Sequence, residues 1–481
     1  MTDLDARKRW LALYVLCLGD LMIVLDSTIV NVALPSIRSD LGFSEASLAW
    51  VVNAYLLTFG GFLLLAGRFG DLYGQRLLFL IGIGEFTVAS LLCGLANSEG
   101  LLVAARAIQG VGGAVVSAIA LSLIMILFTE PAERAKAMGV IGFVLSGGGT
   151  AGVLLGGTLT DLLSWHWIFL VNIPVGIAVL ALSRVLLPPD TMRRTGSLDI
   201  AGAVTVTASL MLAVYAIVNG NKEGWTSGQT LGMLGGAVAL LAAFLVIETR
   251  VSAPLMPLGV WRIRNVTSAN VTGILLAGAM FAWFFLSALY LQRVLGYSPL
   301  KVGLAFLPGT LLWGASSLLL SDKLVIRFGI KAPLIGGLLF YVVALLLFAR
   351  APVDGNYFVD VLPGMLILGI GGGITFNPIL LAAMSGVEPT EAGLASGVVN
   401  TSFMMGGALG LAVLASLAAS RTESLTNSGH GPLAALNGGY HVAFLVGAAF
   451  AVVAAAVGAA LIRTEAAAPM PGAEGVPAGA E

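Results

Sequence analysis

Fourteen stretches of mainly apolar residues, near 11–34, 48–67, 77–96, 101–122, 138–159, 166–187, 198–218, 229–247, 267–290, 303–320, 333–349, 358–380, 393–418 and 440–462, constrain this chain more than any other feature. Each is close to the length of about 20 residues that carries a helix across the hydrocarbon core of a bilayer. Inside hydrocarbon every backbone N–H and C=O must be satisfied within the chain, so such stretches fold as helices. The connections between them are brief, and none is large enough to house a soluble domain. Only 10% of the 481 residues are charged, against 58% hydrophobic, and the mean hydropathy is +0.98. A soluble domain carries about 25% charged residues. The expected fold class is therefore an all-α membrane protein with 14 transmembrane helices. A net charge of −1 gives a nucleic-acid partner nothing to hold. Cys17 and Cys93 lie in apolar stretches and read as small hydrophobes. His166, His430 and His441 have no spacing that suits a metal. Met1 to Arg9 is short and polar, and no small-residue cleavage site follows, so the first stretch reads as a retained helix.

Charge orients the helices. With an even helix number and the N-terminus in the cytoplasm, seventeen of the 24 Lys and Arg fall on the cytoplasmic side, six on the other, and Arg106 lies within a helix. That bias favours both termini inside. The chain also repeats itself. Tyr73-Gly74-Gln75-Arg76 is echoed by Phe328-Gly329-Ile330-Lys331, and Ala137, Gly139, Gly148, Gly149 and Gly152 by Ala395, Gly397, Gly406, Gly407 and Gly410. The expected organisation is a six-helix bundle over 1–187, two inserted helices with their linkers over 188–266, a second six-helix bundle over 267–465, and a disordered tail over 466–481. Parallel halves of this kind suit a transporter whose bundles rock about a central site.

Asp26 sits deep in the first apolar stretch, where an ionised carboxylate persists only beside a partner, a bundle interior or water. Such an acid can exchange a proton between compartments as its surroundings change. Asp20, about 120° around the helix and ~9 Å along it, shares a stripe with Ser27 and Asn31. Glu85 lies mid-span in the third helix. Arg106 is the one basic residue deep in a helix, and Gln109, Gly110 and Gly113 follow it on one helical face. A fixed cation there would stabilise an ionised Asp26 and release it on protonation. Asp26, Arg106, Asp20 and Glu85 are the proton-coupling candidates. Asn31, Gln109, Gln292 and Asn400 are the polar candidates for a substrate cavity. Gly148, Gly149, Gly152, Gly156 and Gly157 form small-xxx-small pairs on the fifth helix, which favour close helix packing.

Four motifs then carry a resemblance. They are Leu25-Asp26-x-Thr28-Ile29-Val30-Asn31-Val32-Ala33-Leu34-Pro35; Gly67-Arg68-Phe69-Gly70-Asp71-Leu72-Tyr73-Gly74-Gln75-Arg76; Arg106-Ala107-Ile108-Gln109-Gly110-Val111-Gly112-Gly113-Ala114; and the glycine run of helix five followed by Trp165 to Pro174. In this order the chain resembles the major facilitator superfamily, in particular its fourteen-helix drug:proton antiporter family. The resemblance implies the major facilitator fold and a role for Arg106 in proton handling. It also implies a cytoplasmic gating latch built on Gly67, Asp71, Gly74, Arg76, Glu133 and Arg134. The chain departs from the pattern at Val153, where a proline usually follows the glycine, at His166, where arginine is common, and at Ile326, which replaces the second loop aspartate. Asp20 and Glu85 lie outside the family pattern.

The function expected is proton-coupled efflux of small amphipathic drugs or antibiotics by alternating access, with an exporter or permease of an endogenous metabolite as the alternative. No enzyme chemistry is expected, since no converging catalytic carboxylates or metal site are evident. No cofactor is expected beyond the proton motive force. The partners expected are a small-molecule substrate, protons and the lipid bilayer of the bacterial cytoplasmic membrane, with the monomer as the working unit.

Overall fold

The computed structural model describes residues 6–190, 199–252, 254–256, 258–385 and 392–462. The expected tail at 466–481 and the side chain of Asp71 lie outside these described residues. All regular structure among them is helical. The helices are α1 (Ala6–Leu41), α2 (Trp50–Tyr73), α3 (Gln75–Gly94), α4 (Glu99–Leu127), α5 (Pro131–Leu162), α6 (Trp167–Leu186), α7 (Ile200–Glu223) and α8 (Gly228–Arg250). They continue as α9 (Arg264–Val294), α10 (Pro299–Phe328), α11 (Lys331–Phe348), α12 (Tyr357–Met384), α13 (Ala392–Asn427) and α14 (Pro432–Leu461). Thirteen of these are long and apolar enough to cross a membrane. The other, α5, is 32 residues long and packs along α1 and α10. The fourteen helices match the fourteen apolar stretches.

Local chemistry sets the ends. Ser98, Asp199, Ser227 and Ser298 accept the backbone N–H of Leu101, Gly202, Thr230 and Lys301 at the starts of α4, α7, α8 and α10. These caps satisfy donors that the first helical turn leaves orphaned. The π turns Tyr290–Val294 and Tyr357–Val361 widen the last turn of α9 and the first of α12, and a third, Ser317–Ser321, interrupts α10.

The packing repeats. Helix α1 lies against α5 and α6, α2 against α4, and α3 against α4 and α6; α9 lies against α13 and α14, α10 against α12, and α11 against α12 and α14. The glycine faces repeat too. A Cβ on Gly148 would meet Leu21 and Val24 of α1, and one on Gly406 would meet Ile274 of α9. Without side chains there, the backbones of each pair approach closely. Two seams join the halves, α2 with α13 and α5 with α10. The α7–α8 hairpin lies beside the first seam, with α7 touching both α2 and α13.

Among the described residues, polar contacts between the halves lie at the face opposite the N-terminus. Gln292 donates to the Val32 carbonyl at 2.8 Å, and Arg293 pairs with Glu45. A Cβ on Gly157 would meet the Pro299 carbonyl at 2.6 Å.

Candidate functional site

One buried polar cluster stands out in the first half. Asp26 of α1 and Arg106 of α4 are both 0% exposed. Arg106 Nη1 donates to Asp26 Oδ2 at 2.5 Å. Asp26 Oδ1 accepts Nε2 of Gln109 at 2.7 Å and Nδ2 of Asn172 at 3.0 Å. Three N–H donors, one of them on a guanidinium, converge on the two oxygens, an arrangement that suits a carboxylate, which only accepts.

Arg106 is held from several sides. Its Nε donates to the Val51 carbonyl at 2.9 Å and its Nη1 to Gln109 Oε1 at 2.7 Å. The guanidinium carbon lies 4.4 Å from the centre of the Tyr55 ring and 5.6 Å from that of Phe169. Aromatic faces attract a cation, more so when it is desolvated. Ser90 ties the set together, accepting from Gln109 at 2.8 Å and from Asn172 at 3.4 Å. Five helices, α1, α2, α3, α4 and α6, thus contribute to one site. The Cys93 thiol adds a 3.6 Å contact to Gln109.

Of the residues singled out from sequence, Asp26, Arg106 and Gln109 meet here, whereas Asp20 and Glu85 lie apart. Asp20 is 4% exposed and accepts from Ser117 of α4 at 3.2 Å. The Glu85 carboxyl rests against Gly112 of α4, and both its oxygens are buried without a hydrogen-bond donor among the described residues. Along α4 the partners Arg106, Gly112 and Ser117 descend in order, so Asp26, Glu85 and Asp20 form a spaced ladder from the opposite face towards the N-terminal one. Asn31 bonds the Ser27 and Thr28 carbonyls of its own helix, at 3.5 and 3.2 Å, and Gln292 lies at the contact of α9 with α1. Asn400, on α13, is partly exposed.

Asn172 belongs to the quoted stretch Trp165 to Pro174, but nothing in its spacing separates it from its neighbours. Ser90 carries no sequence signal at all. Both depend on which helices the fold brings together.

At the N-terminal face the candidate latch residues divide. Arg76 donates through its backbone N–H to Asp190 Oδ1 at 2.9 Å and through Nη2 to the Arg184 carbonyl at 2.5 Å. Leu77 donates to Asp190 Oδ2 at 3.2 Å, so an acid 113 residues away caps α3. Gly74 must be glycine here. Its φ is 107°, and a Cβ would lie 2.5 Å from the Asp190 carboxyl carbon. Glu133 pairs with Arg9 at 3.0 Å, and Arg134 donates to the Phe128 carbonyl at 3.0 Å. A Cβ on Gly67 would meet open space.

Among the described residues no group of three or more His, Cys, Asp or Glu is placed to hold a metal. The family model of the Major Facilitator Superfamily matches residues 16–411. This chain belongs to that superfamily. It is a transporter and not an enzyme.

Superfamily members of similar sequence include the puromycin resistance protein pur8 of Streptomyces alboniger, 41% identical, with the match covering 92% of this chain and 89% of that protein. The cephamycin export protein CmcT of Amycolatopsis lactamdurans is 39% identical over 86% of this chain and 85% of its own. In fold the chain is similar to a bacterial homologue of the human lysosomal transporter Spinster, solved inward-facing and occupied. The TM-score is 0.68 at 17% identity, covering 96% of this chain and 98% of that one. It is also similar to the xylose transporter XylE of E. coli, with a TM-score of 0.61 at 15% identity, covering 94% of this chain and 97% of the other.

Proposed function

We propose that this chain exports small amphipathic molecules of the antibiotic class from the cytoplasm, driven by inward proton movement. Relatives named for antibiotic resistance or export support the direction and the substrate class. The observation that carries the coupling is the Asp26–Arg106 pair, wholly buried and held by donors from other helices. Protonation of Asp26 would leave a buried guanidinium without its counter-charge. Removing one partner of such a pair costs about 3–5 kcal/mol, more than a packed half can absorb without rearranging. The rearrangement frees Arg106, resets α1 against α4 and α6, and returns the bundles to the state that loads from the cytoplasm. Each proton entering contributes about 2.3 kcal/mol per 100 mV and about 1.4 kcal/mol per pH unit. Asp20 and Glu85 extend the route towards the N-terminal face, which the charge bias makes cytoplasmic. No cofactor is needed, and one chain contains both halves.

Everted vesicles with an imposed pH gradient test this. Puromycin uptake should follow the gradient in the wild type and vanish in Asp26→Asn at equal protein level. Uptake that survives collapse of both voltage and pH difference would overturn the coupling.

A further inference from the structure

A cavity of about 380 Å³ lies well away from the Asp26 cluster, in the N-terminal-face half of the membrane. Its walls come from both halves and from the inserted hairpin: Leu64 of α2, Leu210 of α7, Phe244 of α8, Met256 of the following linker, Ile274 of α9 and Met405 of α13. Leu241 and Leu245 of α8 also line it and are 41% and 42% exposed, so it opens towards the lipid along α8. The volume lies within the range that takes a drug-sized molecule.

The walls are almost wholly apolar, with three polar side chains, Trp261, Thr401 and Ser402. Trp261 Nε1 and Thr401 Oγ1 are buried, line this cavity and have no hydrogen-bond partner among the described residues. Thr401 is 9% exposed. Buried donors in native proteins are usually paired, so two orphans on one cavity point to a molecule that supplies acceptors. A lipid chain does not. Thr401 lies nine residues into α13, ~14 Å along the helix from its start.

A third feature sets the charge. Glu248, one turn beyond Phe244 on α8, accepts from the Met256 amide at 3.1 Å and is 4% exposed. Its carboxyl lies within hydrogen-bond reach of that of Asp199, and Glu248 Oε1 and Asp199 Oδ2 have no N–H or hydroxyl donor among the described residues. Among the described residues these two buried acids have no basic partner, and Glu248 adjoins the cavity through Met256, whose amide it accepts.

We propose that this cavity is a membrane-side vestibule for amphipathic amines. The apolar body lies between α2, α8 and α13, an acceptor group meets Trp261 and Thr401, and the amine lies at Glu248 and Asp199. As an entrance for transported molecules it rests on the export reading; as a binding site it does not. The hairpin gives the chain this chamber by walling off the α2–α13 seam. Gly60 of α2 lies against Met404 and Met405 of α13 on that seam, so rocking of the halves reshapes the chamber wall.

Rhodamine 6G, a fluorescent amphipathic cation with an ester carbonyl, is a suitable probe. Its polarisation would be titrated against the purified full chain in nanodiscs. Thr401→Val and Glu248→Gln should each weaken binding at least threefold, and Leu210→Trp, which fills the chamber, should abolish it. If Leu210→Trp fails to give monodisperse protein, Val206→Phe on the adjacent turn serves instead. Asp26→Asn should still bind the probe in nanodiscs while failing to export it, which separates a failed vestibule from a failed transport reading. Unchanged affinity in the filling variant or in Glu248→Gln overturns the proposal. So does quenching of Trp261 by dibrominated phosphatidylcholine, measured against Trp261→Phe, that rhodamine 6G does not relieve, because the occupant would then be a lipid chain.

Discussion

Asp26 and Arg106 are each tolerable in the interior only because the other is there. Asp26→Asn keeps the shape but removes the charge, leaving Arg106 with the Val51 carbonyl, the Gln109 side chain and two aromatic faces. The folded state should lose about 3 kcal/mol, read as a lower melting temperature in detergent. Replacing both residues with leucine should restore most of that stability and none of the transport. A double-mutant cycle measures the coupling, and additivity would show that the pair is not an energetic unit. Tyr55→Phe supplies the contrast. The ring faces Arg106, but the hydroxyl is buried without a partner among the described residues, so its removal should leave stability and transport within experimental error.

Among elements, α5 best separates packing from ornament. A Cβ on Gly156 would lie 2.5 Å from the Ile29 carbonyl oxygen of α1, while one on Gly149 would meet nothing within 4 Å. Backbone cannot move aside as a side chain can. Gly156→Ala should therefore destabilise by about 1–3 kcal/mol and Gly149→Ala should be silent, both read by thermal unfolding in detergent. Asp190→Ala should cost about 1 kcal/mol by uncapping α3. These elements also mark how far the sequence could be read. Helix number and the glycine repeat were legible because hydrocarbon imposes a length and close packing imposes small residues. Asp26 and Arg106 were legible because charge inside an apolar run is conspicuous, and Gln109 by its spacing on the Arg106 face, though it was expected in a substrate cavity and not beside Asp26. Asn172, Ser90 and Asp190 were not. Each is an ordinary polar residue whose role exists only once α3, α4 and α6 converge, and no local pattern encodes that. The helical spacing put Asp20 and Asn31 on one stripe, but it did not reveal that Asn31 spends its amide on its own helix.

For the whole molecule, the face opposite the N-terminus holds a clamp. Glu45 follows α1 and takes Arg38 from its own half at 3.0 Å and Arg293 from the other half. Gln292, beside Arg293, bonds α1 directly. These links tie α9 to α1 at one end, so the halves must part there before that face can open. The side chains of Glu45 and Arg293 are 25% and 23% exposed, and water screens part of their attraction, leaving about 1 kcal/mol for the pair. That is small for folding but about fivefold in an equilibrium between two transporter states. Glu45→Gln should therefore leave the melting temperature nearly unchanged and shift the population towards opening at this face. Spin labels on Leu163→Cys and Leu433→Cys, at the ends of α5 and α14, would report a larger long-distance fraction. The charge reversal Glu45→Arg with Arg293→Glu should bring it back. The same distance distribution in Glu45→Gln and wild type would mean that the seams of α2 with α13 and α5 with α10 alone set the resting state.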